Sequence, residues 1–238
     1  MNIPKLSIII PVFNEERTVG IVTERILATK FPGWEIEVIA VNDGSADNTA
    51  SVLNSFSSKI KVINLLKNVG KGSAVKAGIE AATGDFAIIQ DADLECKPEE
   101  IPLLLEALKK FPRDAKIAVM GSRELHGRKD HESLFFHRLG SLSITKLINV
   151  LYGASLTDTL MCYKLFPRAT FSYFQAGGFD SEMIFLTRLL AEGYRIVEVP
   201  VSYTPRSTKE GKKISYKHGI KIIFKIVTFW LKSHFVRK

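Results

Sequence analysis

Cysteine is scarce in this sequence, and long apolar runs are absent from it. Its 238 residues include only two cysteines, Cys96 and Cys162, too few for the disulfide framework of a small secreted domain. No stretch approaches the roughly 20 consecutive apolar residues that a membrane-spanning helix needs, and no signal-peptide pattern precedes the first apolar run. Repeats and low-complexity tracts are missing too. These absences exclude a disulfide scaffold and a repeat array, and they predict one globular cytoplasmic domain with a C-terminal extension.

Acidic residues are fewer than basic ones in this sequence. Lys and Arg number 33 against 25 Asp and Glu, which gives a formal net charge of +8. An excess of positive charge favours an anionic partner such as a phosphorylated substrate, nucleic acid or a membrane surface, although it can also serve solubility alone. Nucleic acid is the weakest of these, because the basic residues concentrate near the C-terminus without a recognisable binding motif. We therefore expect no nucleic-acid partner.

Strand-like and helix-like segments alternate along the first half of the chain. Apolar, β-branched runs predict strands at residues 6–12, 35–41, 60–65, 86–90 and 117–121. Helical patterns predict helices at residues 14–28, from residue 47, after residue 73 to about 82, and near 99–110. Alternation of this kind predicts right-handed βαβ units and an open, mostly parallel sheet. In such sheets ligands bind beyond the carboxyl ends of the strands.

The second half is less regular. Its pattern predicts a polar loop at residues 123–137, helices at 137–152 and 179–190, a strand at 194–201 and a basic loop at 203–213.

Acidic side chains stand where two of the predicted strands end. Asp91 and Asp93 directly follow the fourth apolar run, and Asp43 follows the second. Two carboxylates one residue apart at the end of a buried strand need a positive partner, and a hard divalent cation that carries a diphosphate supplies one. We therefore expect these side chains to share a site for Mg²⁺ or Mn²⁺ and a pyrophosphate. Judged alone, Asp43 could instead be a turn-capping residue.

Two other patterns are weaker. The segment Gly70-Lys71-Gly72-Ser73 departs from the phosphate-loop pattern, because glycine rather than serine or threonine follows the lysine. We interpret it as a glycine turn that opens a helix near a nucleotide. Three histidines, His126, His131 and His137, lack the spacing of zinc ligands and are interpreted as solvated loop residues.

Residues 216–238 combine basic and apolar side chains at helical spacing. The basic positions are Lys217, Lys221, Lys225 and Lys232. A basic amphipathic helix with aromatic residues can lie on an anionic membrane surface. The alternative is a helix that docks on its own core or on a partner subunit, as in a homodimer.

Several segments, taken together, resemble glycosyltransferase family 2, and within it the polyprenyl- (dolichyl-) phosphate mannose and glucose synthases. They lie at residues 10–15 (IPVFNE), 41–49 (VNDGSADNT), 68–72 (NVGKG), 90–94 (QDADL), 121–123 (GSR) and 198–203 (EVPVSY). The resemblance implies an α/β fold of the GT-A type, Rossmann-like with a mostly parallel central sheet, over residues 1–213. Residues 1–122 would be the nucleotide-sugar-binding half, 123–213 the acceptor-side half, and 214–238 a basic amphipathic helix.

The resemblance also implies roles for individual residues. The nucleoside would be held by Pro11, Phe13, Glu15, Val41 and Asp43, with Lys71 near the nucleotide. Asp91 and Ala92 would line the donor site. Asp93 would coordinate the metal, and Glu95 would be a further ligand where mannose synthases usually carry glutamine. Arg123 would contact a phosphate, and Arg206 and Lys212 would close over the diphosphate.

The implied reaction moves glucose or mannose from a UDP- or GDP-sugar to a polyprenyl phosphate, with inversion. A phosphate acceptor is already ionised and needs no general base, whereas a hydroxyl acceptor would need one. Asp180 and Asp158 are the candidate bases, although a helix cap or a salt bridge explains each of them equally well. Transfer to a hydroxyl of a cell-surface glycan or glycolipid is therefore the first alternative, and a non-catalytic nucleotide-sugar-binding subunit is the second.

Many relatives of this kind append transmembrane helices, which this sequence does not show. Contact with the cytoplasmic face of the membrane would then come from the C-terminal helix or from a partner. We expect peripheral attachment.

Overall fold

The computed structural model describes residues 3–127, 135–206 and 216–235. The strands in these ranges are β1 Lys5–Val12, β2 Glu35–Asn42, β3 Lys61–Asn64, β4 Phe86–Ile89, β5 Ile117–Ser122, β6 Lys164–Pro167 and β7 Arg195–Pro200. They form one sheet in the order β3-β2-β1-β4-β6-β5-β7. Only β6 is antiparallel to its neighbours, β4 and β5, among the pairings described. The predicted α/β class with a mostly parallel sheet is confirmed.

Helices cover both faces of the sheet. In the described ranges they are α1 Val19–Ala28, α2 Thr49–Asn54, α3 Lys71–Ala81, α4 Ile101–Leu108, α5 Phe135–Tyr152, α6 Asp180–Ala191 and α7 Tyr216–Phe235. Leu6, Ile8 and Ile10 of β1 pack with apolar residues of α1, α2 and α4, whereas Ile9 packs with residues of α3 and α6. Because successive strand side chains point to opposite faces, a strand between two helical layers is apolar throughout.

The strands predicted in the first half lie within one residue of their predicted bounds. Helix α1 begins at Val19 rather than near Asn14, because Asn14 has a left-handed backbone with φ 54°. The N–H groups of Asn14 and Glu15 bond to the hydroxyls of Ser45 and Thr49, so this stretch is a turn tied to the loop after β2. The polar residues of this stretch therefore form a turn at the edge of the sheet, not the first turn of a helix.

Strand β6 is absent from the sequence-based prediction. It has only four residues, begins with lysine and ends on proline, so neither length nor alternation marks it as a strand. It pairs with both β4 and β5, with Leu165 opposite Ile88 and Val119. Because β6 is antiparallel, its first residue, Lys164, lies at the edge where β4 and β5 end.

Helix α3 approaches the sheet closely at a glycine. A Cβ added to Gly78 would lie 2.4 Å from Cγ2 of Ile9 in β1. We expect Gly78→Ala to lower the free energy of unfolding by about 1–3 kcal/mol, because an extra methyl group in a packed core forces its neighbours to move. The measurement is urea denaturation.

Gly140→Ala in α5 is the matched control for this substitution. A Cβ at Gly140 would meet no described atom within 4 Å. This change should raise the free energy of unfolding by about 0.5–1 kcal/mol, because alanine loses less backbone entropy in a helix than glycine does. Equal effects of the two substitutions would contradict the close packing at Gly78.

Helices α5, α6 and α7 form a further packed group. Ile222 and Ile226 of α7 are buried with Ile144 of α5 and with apolar residues of α6. Trp230 Nε1 also donates a hydrogen bond to the carbonyl of Leu151 at 2.7 Å. One face of α7 therefore docks on the chain's own core. The expected boundary between residues 213 and 214 lies outside the described residues.

The other face of α7 is open. Phe224 is 72% exposed there, and Ile223, Leu231 and Lys221 are also exposed. In the described part of the chain, we find no helix whose length and apolar character would let it cross a membrane.

Candidate active site

A cavity of about 450 Å³ lies at the edge of the sheet where β1, β2 and β4 end. Its wall includes Pro11 of β1, Asp43 after β2, and Asp91 and Asp93 after β4. The other expected donor-site residues in the wall are Phe13, Glu15, Lys71, Ala92, Glu95, Arg123 and Arg206. The predicted convergence of Asp43 and Asp93 on one cavity is therefore observed.

An arginine holds Asp93. Arg206 donates to Asp93 Oδ2 at 3.1 Å, and its two terminal nitrogens each donate to Glu15 at 3.1 Å. Burial and the charge of Glu95 raise the pKa of Asp93, and Arg206 offsets part of this rise. The guanidinium therefore supplies positive charge beside the carboxylate that is predicted to bind a divalent cation.

The backbone next to Asp93 is strained. Leu94 has a φ of 64°, in the left-handed region that costs a non-glycine residue about 1–2 kcal/mol. Such conformations persist where surrounding contacts hold them, and they concentrate at ligand sites. One of these contacts is the hydrogen bond from the Glu95 N–H to Asp93 Oδ1, at 3.0 Å. This tight turn keeps both carboxylates in the cavity wall.

Glu95 anchors the segment that carries Arg206. Its Oε2 accepts a hydrogen bond from the Tyr203 hydroxyl, and its Oε1 accepts one from the Arg206 N–H, both at 2.8 Å. Its backbone carbonyl accepts from the Thr204 N–H at 2.9 Å. An ionised carboxylate has about four acceptor positions, so these bonds leave room for a cation. The metal-ligand role of Glu95 stays a prediction.

Alternating charges extend from Asp91 into the core. Lys71 Nζ lies 2.6 Å from Asp91 Oδ1 and 2.9 Å from Glu182 Oε1, and Lys164 Nζ lies 3.2 Å from Glu182 Oε2. Burial raises the pKa of Asp91 to about 6, although Lys71 opposes this. For Glu182 burial also raises the pKa, but Lys71 and Lys164 outweigh it and leave the pKa below its usual value. Lys71 is thus a site residue, held by two carboxylates.

Arg123 is fixed by a two-pronged ion pair. Its Nε and Nη2 donate to the two carboxylate oxygens of Asp158, at 2.6 and 2.7 Å, and its guanidinium lies 4.8 Å from the ring centroid of Tyr203. Burial lowers the pKa of Arg123, but the bonds to Asp158 outweigh it and raise the pKa. Asp158 is 1% exposed and is not among the residues that line the cavity, whereas Arg123 is. Asp158 therefore orients Arg123 and is poorly placed to act as a general base.

Asp180 also lies away from this cavity. It stands at the start of α6, where its carboxylate pairs with Lys225 of α7 beside a separate surface depression. Burial raises the pKa of Asp180, but Lys225 outweighs it and lowers the pKa. The structure therefore places Asp180 outside this cavity, in the salt bridge that was the alternative, and its catalytic role stays a prediction.

Val41 and Asp43, both predicted to hold the nucleoside, contact other parts of the chain. Val41 is fully buried in a core cluster with Ala74 and does not line the cavity, so its side chain is not available to a nucleoside. Asp43 does line the cavity, but its two oxygens accept from the N–H groups of Val69 and Gly70, each at 2.9 Å. Asp43 thus holds the turn before α3, and its contact with a nucleobase remains a prediction. Lys212 lies outside the described residues.

The donor atoms present fit a hard cation. They are carboxylate oxygens, the ligands that Mg²⁺ and Mn²⁺ prefer. In residues 3–127, 135–206 and 216–235, no group of three or more His, Cys, Asp or Glu could hold an ion unaided. Mg²⁺ commonly uses one or two carboxylates together with substrate phosphates. Asp93, with Asp91 or Glu95 beside it, would hold the ion jointly with a diphosphate.

Sequence reasoning missed three residues of this site. Glu182 and Lys164 line the cavity and form its charge pair, and Tyr203 links Glu95 to Arg123. One signal was available for Glu182, because a charged residue among the buried apolar positions of a helix usually has a functional or paired role. Tyr203 lies inside one of the segments that carry the family resemblance but had no role assigned to it.

A mostly parallel α/β sheet with a carboxylate pair in a cavity at its strand ends is the arrangement that the resemblance to GT-A nucleotide-diphospho-sugar transferases implies. The family model described as glycosyl transferase family 2 matches residues 7–173. The chain belongs to glycosyltransferase family 2, and the resemblance seen in the sequence is confirmed.

Individual relatives agree with this assignment. Over 215 residues the chain is 33% identical to an undecaprenyl-phosphate 4-deoxy-4-formamido-L-arabinose transferase of Edwardsiella ictaluri (strain 93-146), which covers 87% of this chain. The chain spans 62% of the length of that relative.

Solved structures of glucosyl-3-phosphoglycerate synthase from Mycobacterium tuberculosis are similar in fold. The complex with UDP has a TM-score of 0.72 at 17% identity and covers 97% of this chain and 80% of its own. The complex with Mg²⁺ and UDP has a TM-score of 0.69 at 18% identity, with coverage of 97% and 79%. The GT-A fold is confirmed.

Proposed function

We propose that the protein transfers a hexose, glucose or mannose, from a UDP- or GDP-sugar to a polyprenyl phosphate. The transfer would invert the anomeric carbon and depend on Mg²⁺ or Mn²⁺. The curated relative is named for transfer to undecaprenyl phosphate, which supports this class of acceptor. The structural neighbours were crystallised with UDP, with and without Mg²⁺, which supports a nucleotide donor and a divalent ion.

The pairing of the carboxylates in the cavity supports a phosphate acceptor over a hydroxyl acceptor. Six carboxylates line the cavity among the described residues: Glu15, Asp43, Asp91, Asp93, Glu95 and Glu182. Each of them accepts a hydrogen bond or pairs with a cation. The two expected bases, Asp158 and Asp180, are paired outside the cavity wall. Such a site suits an acceptor that needs no deprotonation, and a phosphate monoester, whose second pKa is about 6, is ionised at neutral pH.

The cavity also has an apolar wall. It is formed by Leu160, Met161, Phe179, Met183 and Ile222, contributed by the segment before β6, the start of α6, and α7. The sugar and the diphosphate of a donor are polar, whereas the first isoprene units of a lipid phosphate are not. An apolar wall in the same cavity as Arg123 therefore suits a phosphate that carries a hydrocarbon chain.

Charge stabilisation is the main task left to the protein. The departing nucleoside diphosphate gains negative charge as its bond to the sugar breaks, and prearranged cations lower the energy of that state. Arg206 and Lys71 are the cations beside Asp93 and Asp91. A bound Mg²⁺ or Mn²⁺ would supply further positive charge to the same phosphates. Arg123, held by Asp158, would bind the acceptor phosphate.

Membrane attachment would use the open face of α7. Phe224 and Leu231 supply apolar area, and exposed Lys221 and Lys232 supply positive charge, worth about 1 kcal/mol each near an anionic surface. This arrangement would keep the protein on the cytoplasmic face of the membrane, where its acceptor lies.

A donor panel tests the proposed reaction. The purified protein is incubated with Mn²⁺, a detergent-dispersed polyprenyl phosphate and labelled UDP-glucose, GDP-mannose or nucleotide-activated 4-deoxy-4-formamido-L-arabinose. We expect label in the lipid phase with one donor and none after chelation of the metal. Label in the lipid phase with the formamido-arabinose donor alone contradicts the proposed hexose. Label that appears only in a glycan or in water, or in no product at all, contradicts the whole proposal.

Asp180→Asn separates a phosphate acceptor from a hydroxyl acceptor. Asp180 contacts Lys225 and does not line the cavity, so we expect kcat to stay close to the wild-type value. General base catalysis contributes about 100- to 10,000-fold, so a loss of that size at unchanged donor affinity would favour a hydroxyl acceptor. Thermal unfolding of the variant establishes that it is folded.

Phe224→Ser tests the attachment surface. Removing an exposed aromatic side chain should weaken binding to vesicles that contain anionic lipid by about tenfold, because a buried phenylalanine contributes about 1.5–3 kcal/mol. Cosedimentation with phosphatidylglycerol vesicles measures this. Ile21→Ser, at a 47% exposed position of α1, is the matched control and should have no effect. Equal binding by both variants would argue against α7 as the anchor.

A further inference from the structure

Two thiols meet in the wall of the donor cavity. The Sγ atoms of Cys96 and Cys162 are 3.1 Å apart and share a hydrogen bond. Both side chains are buried, yet both line the cavity, so a small molecule that enters it can reach them. They are the only cysteines of the chain, and the transfer proposed above uses neither.

Each thiol belongs to a segment with a role in the site. Cys96 directly follows Glu95 in the strained turn that carries Asp93. Cys162 lies between Asp158, the partner of Arg123, and the start of β6. A bond between the two sulfurs would tie the turn with the predicted metal ligands to the segment that orients Arg123.

We propose that Cys96 and Cys162 form a modification site at which hydrogen peroxide closes an intramolecular disulfide, and that this disulfide weakens nucleotide binding. In the first step one sulfur attacks the peroxide, the O–O bond breaks, and a sulfenic acid and one water form. In the second step the other thiol attacks the sulfenic sulfur, the S–S bond forms, and a second water leaves. The two thiols lose two electrons and two protons in total, and one hydrogen peroxide is reduced to two waters.

Forming the disulfide requires a small movement of Cys96, which lies in the turn that carries Asp93. A disulfide is about 2.05 Å long, so the sulfurs must approach each other by about 1 Å. Cys96 is covalently joined to Glu95, which anchors Tyr203 and Arg206, so this approach displaces the turn and the segment it holds. A misplacement of about 1 Å can cost roughly 100-fold in a reaction. We expect nucleotide binding to weaken by about tenfold or more.

The reaction should be slow at neutral pH. Both thiols are buried, and peroxide oxidises buried thiols more slowly than exposed ones. The thiolate is the reactive form, so millimolar peroxide and a time course of hours suit the test.

The test uses the full chain, reduced with dithiothreitol, desalted and exposed to hydrogen peroxide. We expect both thiols to disappear in a titration under denaturing conditions and the intact mass to fall by two hydrogens, with the protein still monomeric on a non-reducing gel. Calorimetry with Mn²⁺ and UDP or GDP should show about tenfold weaker binding, restored by dithiothreitol. In Cys162→Ser the mass loss and the reversible part of the change in affinity should both vanish.

Three results would overturn the proposal. They are thiols that persist under peroxide, a gain of oxygen atoms instead of a loss of two hydrogens, and a disulfide that leaves nucleotide affinity unchanged. If the reduced protein binds neither nucleotide, the proposed donor site fails, and the thiol titration and the mass alone then decide whether the modification site exists.

Discussion

Asp93→Asn should lower kcat/KM for sugar transfer by roughly a thousandfold. The substitution removes the carboxylate expected to hold the divalent ion, and with it the positive charge on the departing diphosphate. The fold should tolerate the change, because burial and Glu95 already disfavour the charged form of Asp93. Initial rates with a labelled donor measure the loss. Mn²⁺ titration by calorimetry in the presence of nucleotide should show weakened ion binding.

Asp114→Asn is the control for this prediction. Asp114 is exposed between α4 and β5, so the same change of charge there should leave both rate and ion binding unaltered. If Asp93→Asn kept the wild-type Mn²⁺ requirement and most of the rate, the ion would have to be held elsewhere. The assigned role of Asp93 would then be wrong.

Asp158→Asn should reduce the free energy of unfolding by about 3–5 kcal/mol. The substitution leaves the buried guanidinium of Arg123 without its counter-charge, and uncompensated buried charges destabilise proteins by this amount. Transfer should fall as well, because asparagine offers one acceptor oxygen where Asp158 offers two, and the two-pronged pairing that orients Arg123 is lost. Urea denaturation gives the first quantity, and the labelled-donor assay gives the second.

A double substitution separates the two effects. Arg123→Met combined with Asp158→Leu replaces the ion pair with apolar side chains of similar size, which often restores or exceeds the original stability. Activity should stay low, because the guanidinium proposed to bind the acceptor phosphate is gone. If the double variant unfolds as easily as Asp158→Asn, the ion pair is not the source of the instability. If it transfers sugar normally, Arg123 has no role in the reaction.

Much of the donor side could be predicted because its signals are local. An apolar run followed by an acidic residue marks a strand and its carboxyl end, and parallel strands bring those ends to one edge. Asp43 and Asp93 are 50 positions apart yet line one cavity for this reason. Arg123 follows β5 at the same edge, and the family resemblance, not the strand pattern, identified it as a site residue.

The part of the cavity wall contributed by the second half of the chain depends on contacts that no local pattern encodes. Lys164 reaches the cavity because β6 begins at that edge, and the reversal of one short strand leaves no trace in periodicity. Glu182 and Asp158 acquire their partners only when distant segments pack together. Val41 shows the converse, because its place in a binding motif does not reveal that its side chain points into the core.

Helix α7 has one face exposed to solvent and another in the wall of the cavity. Ile222 lines the cavity, and Phe224, two positions further on, is turned about 200° around the helix axis towards solvent. Because a helix moves nearly as a rigid body, a displacement of its outer face also displaces its inner face. Under the proposed attachment, adsorption at Phe224 would therefore also shift Ile222 and change the shape of the cavity.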